Sequence, residues 1–296
     1  MSPAADGCVP SAEIAAKPPS HAIAAAGLGR EAPAYAKWQE AFHRAFAVEL
    51  KKMLSDVFSL EVGRVLDLAC GDGSYAAWLS ELFGPSASVI AVDRNLAWLR
   101  SAQKTVGRCR DDRRIVPLAS DALRLPFESD SFDAVWCAQS LYSLRDAGAA
   151  LAEMHRVARP GGTVAVLEND TLHEVLLPWP PALELAVRQA ELAALHEERT
   201  ERYYVGRSLA RHVQATGFKA WSLRTYAISR VGAAEADVQT FLEGYLADLR
   251  QRIASRLAKR RLAAFDRYLA RGGENYLLDR TDFTLTCLVY VAWGVK

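Results

Sequence analysis

Apolar residues follow two different spacings along this chain, and their alternation predicts a repeating order of strands and helices. Short apolar runs predict strands, and the segments between them place apolar residues three and four positions apart, as on one face of a helix. The predicted strands are 64–68, 88–92, 115–119, 132–138 and 163–168, and the predicted helices are 74–83, 96–106 and 147–158. Strands separated by helices pair in parallel through right-handed crossovers, so the pattern predicts an α/β fold with a doubly wound sheet.

After residue 168 the alternation becomes less regular. Two further predicted strands, 220–228 and 283–293, would complete a seven-stranded, mostly parallel sheet. The helical segments between them, about 169–206 and 230–280, are insertions that we expect to stack as a helical cap at the edge of the sheet.

The N-terminal part of the chain divides into an alanine-rich tail and a long amphipathic segment. Residues 1–30 lack the basic start and apolar core of a signal peptide, so we expect a flexible tail ahead of one domain that spans 31–296. Residues 33–58 place apolar side chains on one face, which predicts a single helix packed on the core. The alternative is a lid whose first turn, with Tyr35 and Trp38, folds over a ligand.

The stretch from Val65 to Tyr75, VLDLACGDGSY, joins the first predicted strand to the first predicted helix through a glycine-rich loop. Gly71 and Gly73 permit a positive φ or a close backbone approach, and a helix N-terminus presents backbone N–H groups to a ligand. Asp93 follows about 20 residues later, a spacing that also fits the dinucleotide fingerprint. The loop therefore indicates a nucleotide-type cofactor and leaves open which one.

Polar residues at the ends of the predicted strands narrow this choice. Asp67 lies directly beneath the loop, where a pyrophosphate would meet a like charge and a cofactor with an ammonium and a sulfonium group would be attracted. Asp121 can accept a hydrogen bond from an exocyclic amine such as adenine N6, or it can cap the following turn. With Asp93 and Gln139 they mark the carboxyl ends of four strands, where doubly wound sheets bind ligands.

Two further segments carry a family resemblance. They are DALRLPFESDSFDAVWCAQSLYSL, which starts at Asp121, and EMHRVARPGGTVAVLE, which ends at Glu168. Together with the glycine loop they resemble the class I S-adenosylmethionine-dependent methyltransferases, in the branch of the ubiquinone/menaquinone-biosynthesis C-methyltransferases and many natural-product methyltransferases. The resemblance covers about 35–168 and is weak across 169–280, where we expect the substrate specificity to lie.

The resemblance implies a Rossmann-like fold, S-adenosyl-L-methionine as the cofactor and S-adenosyl-L-homocysteine as the product. The methyl acceptor would be a small, apolar or aromatic metabolite that accepts at oxygen, nitrogen or carbon.

The resemblance also implies roles for the residues at the matching positions. The assigned residues are Asp67, Gly71 and Gly73 at the methionine moiety, Asp93 at the ribose hydroxyls, Arg94 beside the adenine, Asp121 and Ala122 at the adenine edge, and Gln139 near the methionine part and the transferred methyl. Cys70 in the glycine loop is also assigned to the cofactor site. Tyr35 and Trp38 are added to the cofactor site as the lid. Ala69 departs from the family, which often has its first glycine there, and the change is harmless provided that φ is negative.

A general base is needed only if the acceptor atom is protonated, as in a phenol or an enol carbon. His173, shortly after the fifth predicted strand, is the candidate by position, because the pKa of histidine lies near neutrality. An ordinary loop histidine is the alternative interpretation. His43 on the N-terminal helix is a second candidate with no better support.

Charge and composition bear on the remaining function classes. The net charge is +1, which gives no general attraction to nucleic acid. A basic helical run from Arg250 to Arg271 keeps a nucleic-acid-binding methyltransferase as the alternative, although a solvated helix face explains the run more simply. A cofactor-binding protein without catalysis is a third interpretation.

The five cysteines are scattered, and no cysteine or histidine pair has the spacing of metal ligands. We therefore expect a cytoplasmic protein without disulfides or a metal site. No apolar run approaches the length of a membrane span. The oligomeric state, including a homodimer, stays open.

Overall fold

The computed structural model describes residues 29–33, 35–58, 62–108, 114–170, 174–196 and 204–296. Nearly all of the tail expected over 1–30 lies outside these residues, and so does His173. The strands are β1 (Arg64–Leu68), β2 (Ser88–Asp93), β3 (Ile115–Ala119), β4 (Phe132–Ala138), β5 (Ala158–Asn169), β6 (Ala220–Val231) and β7 (Thr284–Val295). The α-helices are α1 (Ala36–Ala45), α2 (Ala47–Val57), α3 (Ser74–Phe83), α4 (Leu96–Arg108), α5 (Ala147–Val157), α6 (Pro181–His196), α7 (Val205–Thr216), α8 (Ala236–Ile253) and α9 (Lys259–Leu269).

The seven strands form one sheet in the order β3-β2-β1-β4-β5-β7-β6. Strands β1 to β5 pair in parallel, and β7 is antiparallel to both of its neighbours, β5 and β6. The central strands β1 and β4 are almost wholly buried, as their apolar sequences require when helices cover both faces of a sheet. The predicted fold class, a doubly wound and mostly parallel seven-stranded sheet, is confirmed.

The strand order changes direction between β1 and β4. From β1 the chain moves outward to β2 and β3, and it then returns to place β4 on the other side of β1. Such a switch leaves a crevice at the carboxyl ends of the strands, which is where open α/β sheets bind ligands.

The prediction of a single helix over residues 33–58 is wrong, because two helices meet at Phe46. Phe46 has φ −118° and ψ 17°, which are outside the helical region and separate the end of α1 from the start of α2. Its ring is fully buried, 4.9 Å from the ring of Phe42 and 4.8 Å from the guanidinium carbon of Arg230. The apolar spacing continues across the break, so periodicity alone could not reveal it.

Other element boundaries also differ from the predictions. The helical segment expected over about 230–280 contains two helices, α8 and α9. Strand β5 begins at Ala158, ahead of the predicted start at residue 163, and a register shift between Phe132 and Ala134 of β4 accommodates the early start. No helix in the described part of the chain is long and apolar enough to cross a bilayer.

Helix α1 is held against α8 by a close contact at Trp38. The Trp38 ring centroid lies 6.0 Å from the ring centroids of both Phe241 and Tyr245. A Cβ added to Gly244 would stand 2.5 Å from the Cβ of Trp38, so α8 can approach this closely only with glycine there.

We therefore expect Gly244→Ala to push α8 away from α1 and to lower the free energy of unfolding by about 1–3 kcal/mol. Gly148→Ala in α5 is the matched control, because its added Cβ makes only an ordinary contact at 3.4 Å and alanine favours the helix. Denaturant unfolding of both variants measures the difference. Equal stability of the two variants would contradict the close packing.

Candidate functional site

A cavity of about 720 Å³ opens at the carboxyl ends of β1, β2, β3 and β4. This volume lies within the usual range for sites that bind small molecules. The cavity is lined by Gly29, Pro33, Tyr35, Gln39, Leu68, Ala69, Gly71, Val92, Asp93, Arg94, Asn95, Trp98, Ser120, Asp121, Ala122, Leu123, Gln139, Ser140, Tyr142, Ser143, Leu144 and Arg145. It therefore lies at the switch in strand order.

The glycine loop after β1 is fastened to the end of β2 by Asp93. One carboxylate oxygen of Asp93 accepts a hydrogen bond from the backbone N–H of Gly71 at 3.1 Å, and the other accepts from the N–H of Asn95 at 2.7 Å. Burial raises the pKa of the Asp93 carboxyl, and these backbone hydrogen bonds act in the opposite direction. The carboxylate thus joins two strand ends while facing the cavity.

The loop contains residues in the left-handed region of φ. Gly71 has φ +52° and Gly73 has φ +79°, as the glycines predict. Ala69 has φ +54°, so the negative φ on which its substitution was considered harmless is not found. An alanine in this region is strained by contact between its Cβ and the following carbonyl.

Seven of the residues predicted to bind the cofactor line the cavity. They are Tyr35, Gly71, Asp93, Arg94, Asp121, Ala122 and Gln139. Asp121 also caps the turn that follows it, since its carboxylate accepts the N–H of Leu123 at 2.9 Å. The two interpretations offered for this residue are therefore compatible.

Trp38, Asp67, Cys70 and Gly73 do not line the cavity. Trp38 packs on α8, and Cys70 is buried in the loop. Gly73 serves the packing of α3 on α4, because an added Cβ would stand 2.8 Å from the Cα of Ala102. Trp38, Cys70 and Gly73 therefore contribute to the packing around the cavity and not to its lining.

Asp67 is buried beneath the loop with 1% of its surface exposed. Its Oδ2 atom has no hydrogen-bond partner within the described residues. Burial, together with the charges of Asp72 and Asp93, holds the pKa of this carboxyl well above its usual range. The group is thus a buried acid that a nearby positive charge would stabilise.

His43 contacts two loops of the site although it does not line the cavity. Its Nδ1 lies 3.0 and 3.2 Å from the carboxylate oxygens of Asp72, and its Nε2 lies 3.1 Å from Oε1 of Gln139. Burial alone would lower the pKa of His43, but the charge and hydrogen bond of Asp72 and the hydrogen bond to Gln139 raise it overall. Among the described residues no histidine lines the cavity.

Glu168 at the end of β5 supports the loop after β4, a role that the sequence did not suggest. One carboxylate oxygen accepts the N–H groups of Ser140 at 2.9 Å and Leu141 at 2.6 Å. Burial raises the pKa of Glu168 to about 8, against the opposing effect of these two hydrogen bonds. Gln139, the residue before Ser140, has φ +50° and lines the cavity.

Aromatic side chains that sequence reasoning did not assign to the cofactor also line the cavity. Trp98 on α4 is 6% exposed, with its ring centroid 6.2 Å from that of Tyr35, and Tyr142 follows the end of β4. Trp98 occupies an apolar position of an amphipathic helix, so only its place shortly after Asp93 could have signalled a role.

Several arginines in the basic run from Arg250 to Arg271 are paired with acids. Arg250 lies 2.6 Å from Asp266, and Arg271 lies 2.7 Å from Glu243. Such pairing favours the interpretation of this run as a solvated helix face.

Comparison with known proteins places this chain among methyltransferases. A family profile described as a methyltransferase domain matches residues 66–166. The demethylmenaquinone methyltransferase of Lactobacillus johnsonii is 30% identical over 183 residues, which are 61% of this chain and 71% of the relative. The ubiquinone/menaquinone biosynthesis C-methyltransferase UbiE of Burkholderia mallei is 41% identical over 131 residues, which are 40% of this chain. The chain thus spans about half of that relative, 52% of its length.

Among solved structures, phosphoethanolamine N-methyltransferase 2 of Haemonchus contortus, in complex with S-adenosyl-L-methionine, superposes with a TM-score of 0.51. The superposition covers 89% of this chain and 56% of that chain at 18% sequence identity. At this identity the likeness shows a shared fold.

Strain at Ala69 predicts that Ala69→Gly stabilises the protein. The strain energy that is removed from the folded protein exceeds the cost of the greater conformational entropy of glycine in the unfolded chain. The net gain in the free energy of unfolding is about 1 kcal/mol. The same change at Ala152, an exposed position within α5, should instead cost about 1 kcal/mol. Opposite shifts of the denaturation midpoint are expected, and a loss at both positions would refute the strain.

The raised pKa of Glu168 predicts a pH-dependent stability. Between pH 4.5 and about 8 the unfolded chain releases a proton that the folded protein keeps, so stability falls as the pH rises through this window. Glu168→Gln removes this dependence and retains an acceptor oxygen. The melting temperature of the variant relative to the wild type should therefore increase from pH 5 to pH 9.

Glu153→Gln is the control for this prediction. Glu153 also accepts a backbone N–H, from Leu125 at 2.9 Å, but its hydrogen bond to Arg156 lowers its pKa. The difference between this variant and the wild type should stay constant over the same pH range. A constant difference for Glu168→Gln as well would show that Glu168 is ionised throughout.

Proposed function

Because the chain belongs to the class I S-adenosylmethionine-dependent methyltransferases, in the branch of the ubiquinone/menaquinone-biosynthesis enzymes, we propose that it transfers a methyl group from S-adenosylmethionine to a small metabolite. The observation that carries this proposal is the position of Asp93. Its carboxylate joins the glycine loop to β2 at the switch point and lines the cavity between Gly71 and Asp121.

The residues of the site fit this cofactor. The backbone at Gly71 is open, since an added Cβ would meet nothing within 4 Å, and its positive φ excludes most side chains. Beneath the loop, the unpartnered Oδ2 of Asp67 belongs to a cluster of acids with Asp72 and Asp93. Such a cluster favours a ligand with positive charge, and it disfavours a pyrophosphate.

Several of the predicted residues that face the cavity have roles that their chemistry supports. Asp93 would accept hydrogen bonds from the ribose hydroxyls, and Asp121 with Ala122 would bind the edge of the adenine. The loop at Gly71 and the amide of Gln139 would hold the methionine moiety. Asp67 does not reach the cavity and would act from beneath the loop, where the positive charge of the cofactor would favour its ionised form.

The bound cofactor supplies a methyl group on a sulfonium, which is already activated for in-line displacement. The chain's contribution is to align the acceptor and to exclude water from the reaction. Tyr35, Trp98 and Tyr142 give the cavity aromatic walls that favour an apolar or aromatic acceptor.

Proton removal from the acceptor has two candidates from the sequence, His173 and His43, and His43 does not line the cavity. Burial raises the pKa of Tyr35, so its hydroxyl is protonated near neutral pH and does not serve as a base. The role of His173 as a general base stays a prediction, because this residue lies outside the described part of the chain.

Replacement of Asp93 tests the proposed function. We expect Asp93→Ala to weaken the binding of S-adenosylhomocysteine at least tenfold, because each lost hydrogen bond to a charged group contributes about 1.5–3 kcal/mol. Isothermal titration calorimetry on the wild type and the variant measures the effect. Absence of binding to the folded wild type would refute the proposed function.

Asp133→Ala is the matched control. Asp133 likewise accepts two backbone N–H groups, from Gly63 at 2.8 Å and Arg64 at 2.5 Å, but at the opposite end of the sheet. This variant should lose similar stability and keep its affinity. An equal loss of affinity in both variants would mean that Asp93 acts only through stability.

A further inference from the structure

His43 lies at the junction of three segments that are far apart in the sequence. It projects from α1 between the glycine loop, through Asp72, and the residue after β4, Gln139. It is 4% exposed, and the rings of Tyr75 and Trp78 lie against it at centroid distances of 5.3 and 6.1 Å. Such an environment fixes the imidazole in one orientation.

The hydrogen bonds of Asp72 determine what His43 Nδ1 does. The Asp72 carboxylate accepts the N–H of Ser74 at 3.0 Å and the hydroxyl of Ser74 at 2.9 Å, as an ionised acid does. An ionised carboxylate can only accept, so Nδ1 of His43 donates to it. The pKa of Asp72 is accordingly lowered by the charge and hydrogen bond of His43, in spite of burial.

The other ring nitrogen faces an acceptor as well. Oε1 of Gln139 lies 3.1 Å from Nε2 of His43, and an amide oxygen can only accept. Both ring nitrogens therefore donate, which makes the ring an imidazolium. The charged groups around it are Asp72 on the loop and Glu40 on its own helix, both of which favour this form, and Tyr75 on α3 is a neutral phenol.

The orientation of the Gln139 amide and the charge of His43 imply each other, and Asp72 and Glu40 independently favour the charged ring. With Oε1 held by the imidazolium, the amide NH₂ of Gln139 is turned away from His43. Gln139 lines the cavity, and its backbone is fixed by a hydrogen bond of 2.7 Å from its N–H to the carbonyl of Leu167. A neutral His43 that accepts at Nε2 would reverse the amide.

We propose that His43, locked by Asp72, is a positioning residue that holds the Gln139 amide so that its NH₂ group donates to the bound cofactor. The inference rests on the proposed function. The contact of His43 with Gln139 also connects α1 to the site, because α1 begins directly after Tyr35, which lines the same cavity. Docking of α1 and presentation of the donor then occur together.

A double-mutant cycle tests the inference. The variants are His43→Leu, Gln139→Ala and the double variant, and the dissociation constant of S-adenosylhomocysteine is measured by calorimetry at pH 7. We expect His43→Leu to weaken binding about tenfold in the wild-type background, as for one charge-assisted hydrogen bond, and less than about twofold in the Gln139→Ala background. The same factor in both backgrounds would overturn the inference, as would no effect in the wild type.

His155→Leu is the matched control for a lost imidazole. His155 packs on Phe218 at a centroid distance of 5.0 Å, away from the cavity, so this variant should bind as the wild type does. Binding of S-adenosylhomocysteine to the wild type separates the two proposals. If the wild type does not bind it, the proposed function is wrong. If the wild type binds it, the double-mutant cycle decides the role of His43.

A second measurement needs neither the cofactor nor a His43 variant. In the ¹⁵N spectrum of the wild type at neutral pH, His43 should show two protonated ring nitrogens, and Asp72→Asn should lower its pKa. Asp72→Asn keeps an acceptor for Ser74 and therefore avoids a buried unpaired charge. A neutral ring in the wild type would overturn the inference.

Discussion

The hydrogen bond from the Gly71 N–H to the Asp93 carboxylate is the contact on which the site depends. Parallel pairing brings the ends of β1 and β2 to one edge of the sheet, with Leu68 opposite Val92, but pairing does not shape the loop that follows. The Asp93 carboxylate does so, because it takes one N–H from this loop and one from the start of α4. The cost is a carboxylate held largely away from water, which its hydrogen bonds and the charge of Arg94 offset.

Acidic groups outnumber basic groups beneath the cavity. Asp67, Asp72 and Asp93 lie close enough for the charges of the latter two to raise the pKa of Asp67. His43 is the cation that compensates Asp72, and Oδ2 of Asp67 is without a hydrogen-bond partner within the described residues. A sulfonium and an ammonium would favour the ionised form of Asp67 and a pyrophosphate would oppose it, which separates the site from the dinucleotide sites that share its glycine spacing.

The sequence was sufficient for the parts of the molecule that depend on local pattern. Spacing predicted the sheet, and position at strand ends predicted cavity-lining residues such as Asp93, Asp121 and Gln139. The family prediction is confirmed by the relatives that match the chain. These features follow from periodicity and from the parallel arrangement of strands, both of which a single sequence displays.

The parts that the sequence did not predict depend on contacts between distant segments. Periodicity runs through Phe46, where the chain leaves helical geometry to bury one ring. The positive φ of Ala69 is imposed by the loop and not preferred by the residue. The roles of His43 and Glu168 come from hydrogen bonds across 96 and 28 residues respectively, which no local pattern records.

The position of β7 has a consequence for the order in which the protein can fold. This strand lies between β5 and β6, although both precede it in the chain, and among the described strands β7 is the only neighbour of β6. During synthesis β6 therefore cannot pair with β7 until residues 284–295 have left the ribosome. Strands β1 to β5 can already pair with one another at that stage. Late, non-local pairing of this kind is slow and leaves strand edges open to other chains. The half that carries the glycine loop can thus form well before the sheet is closed.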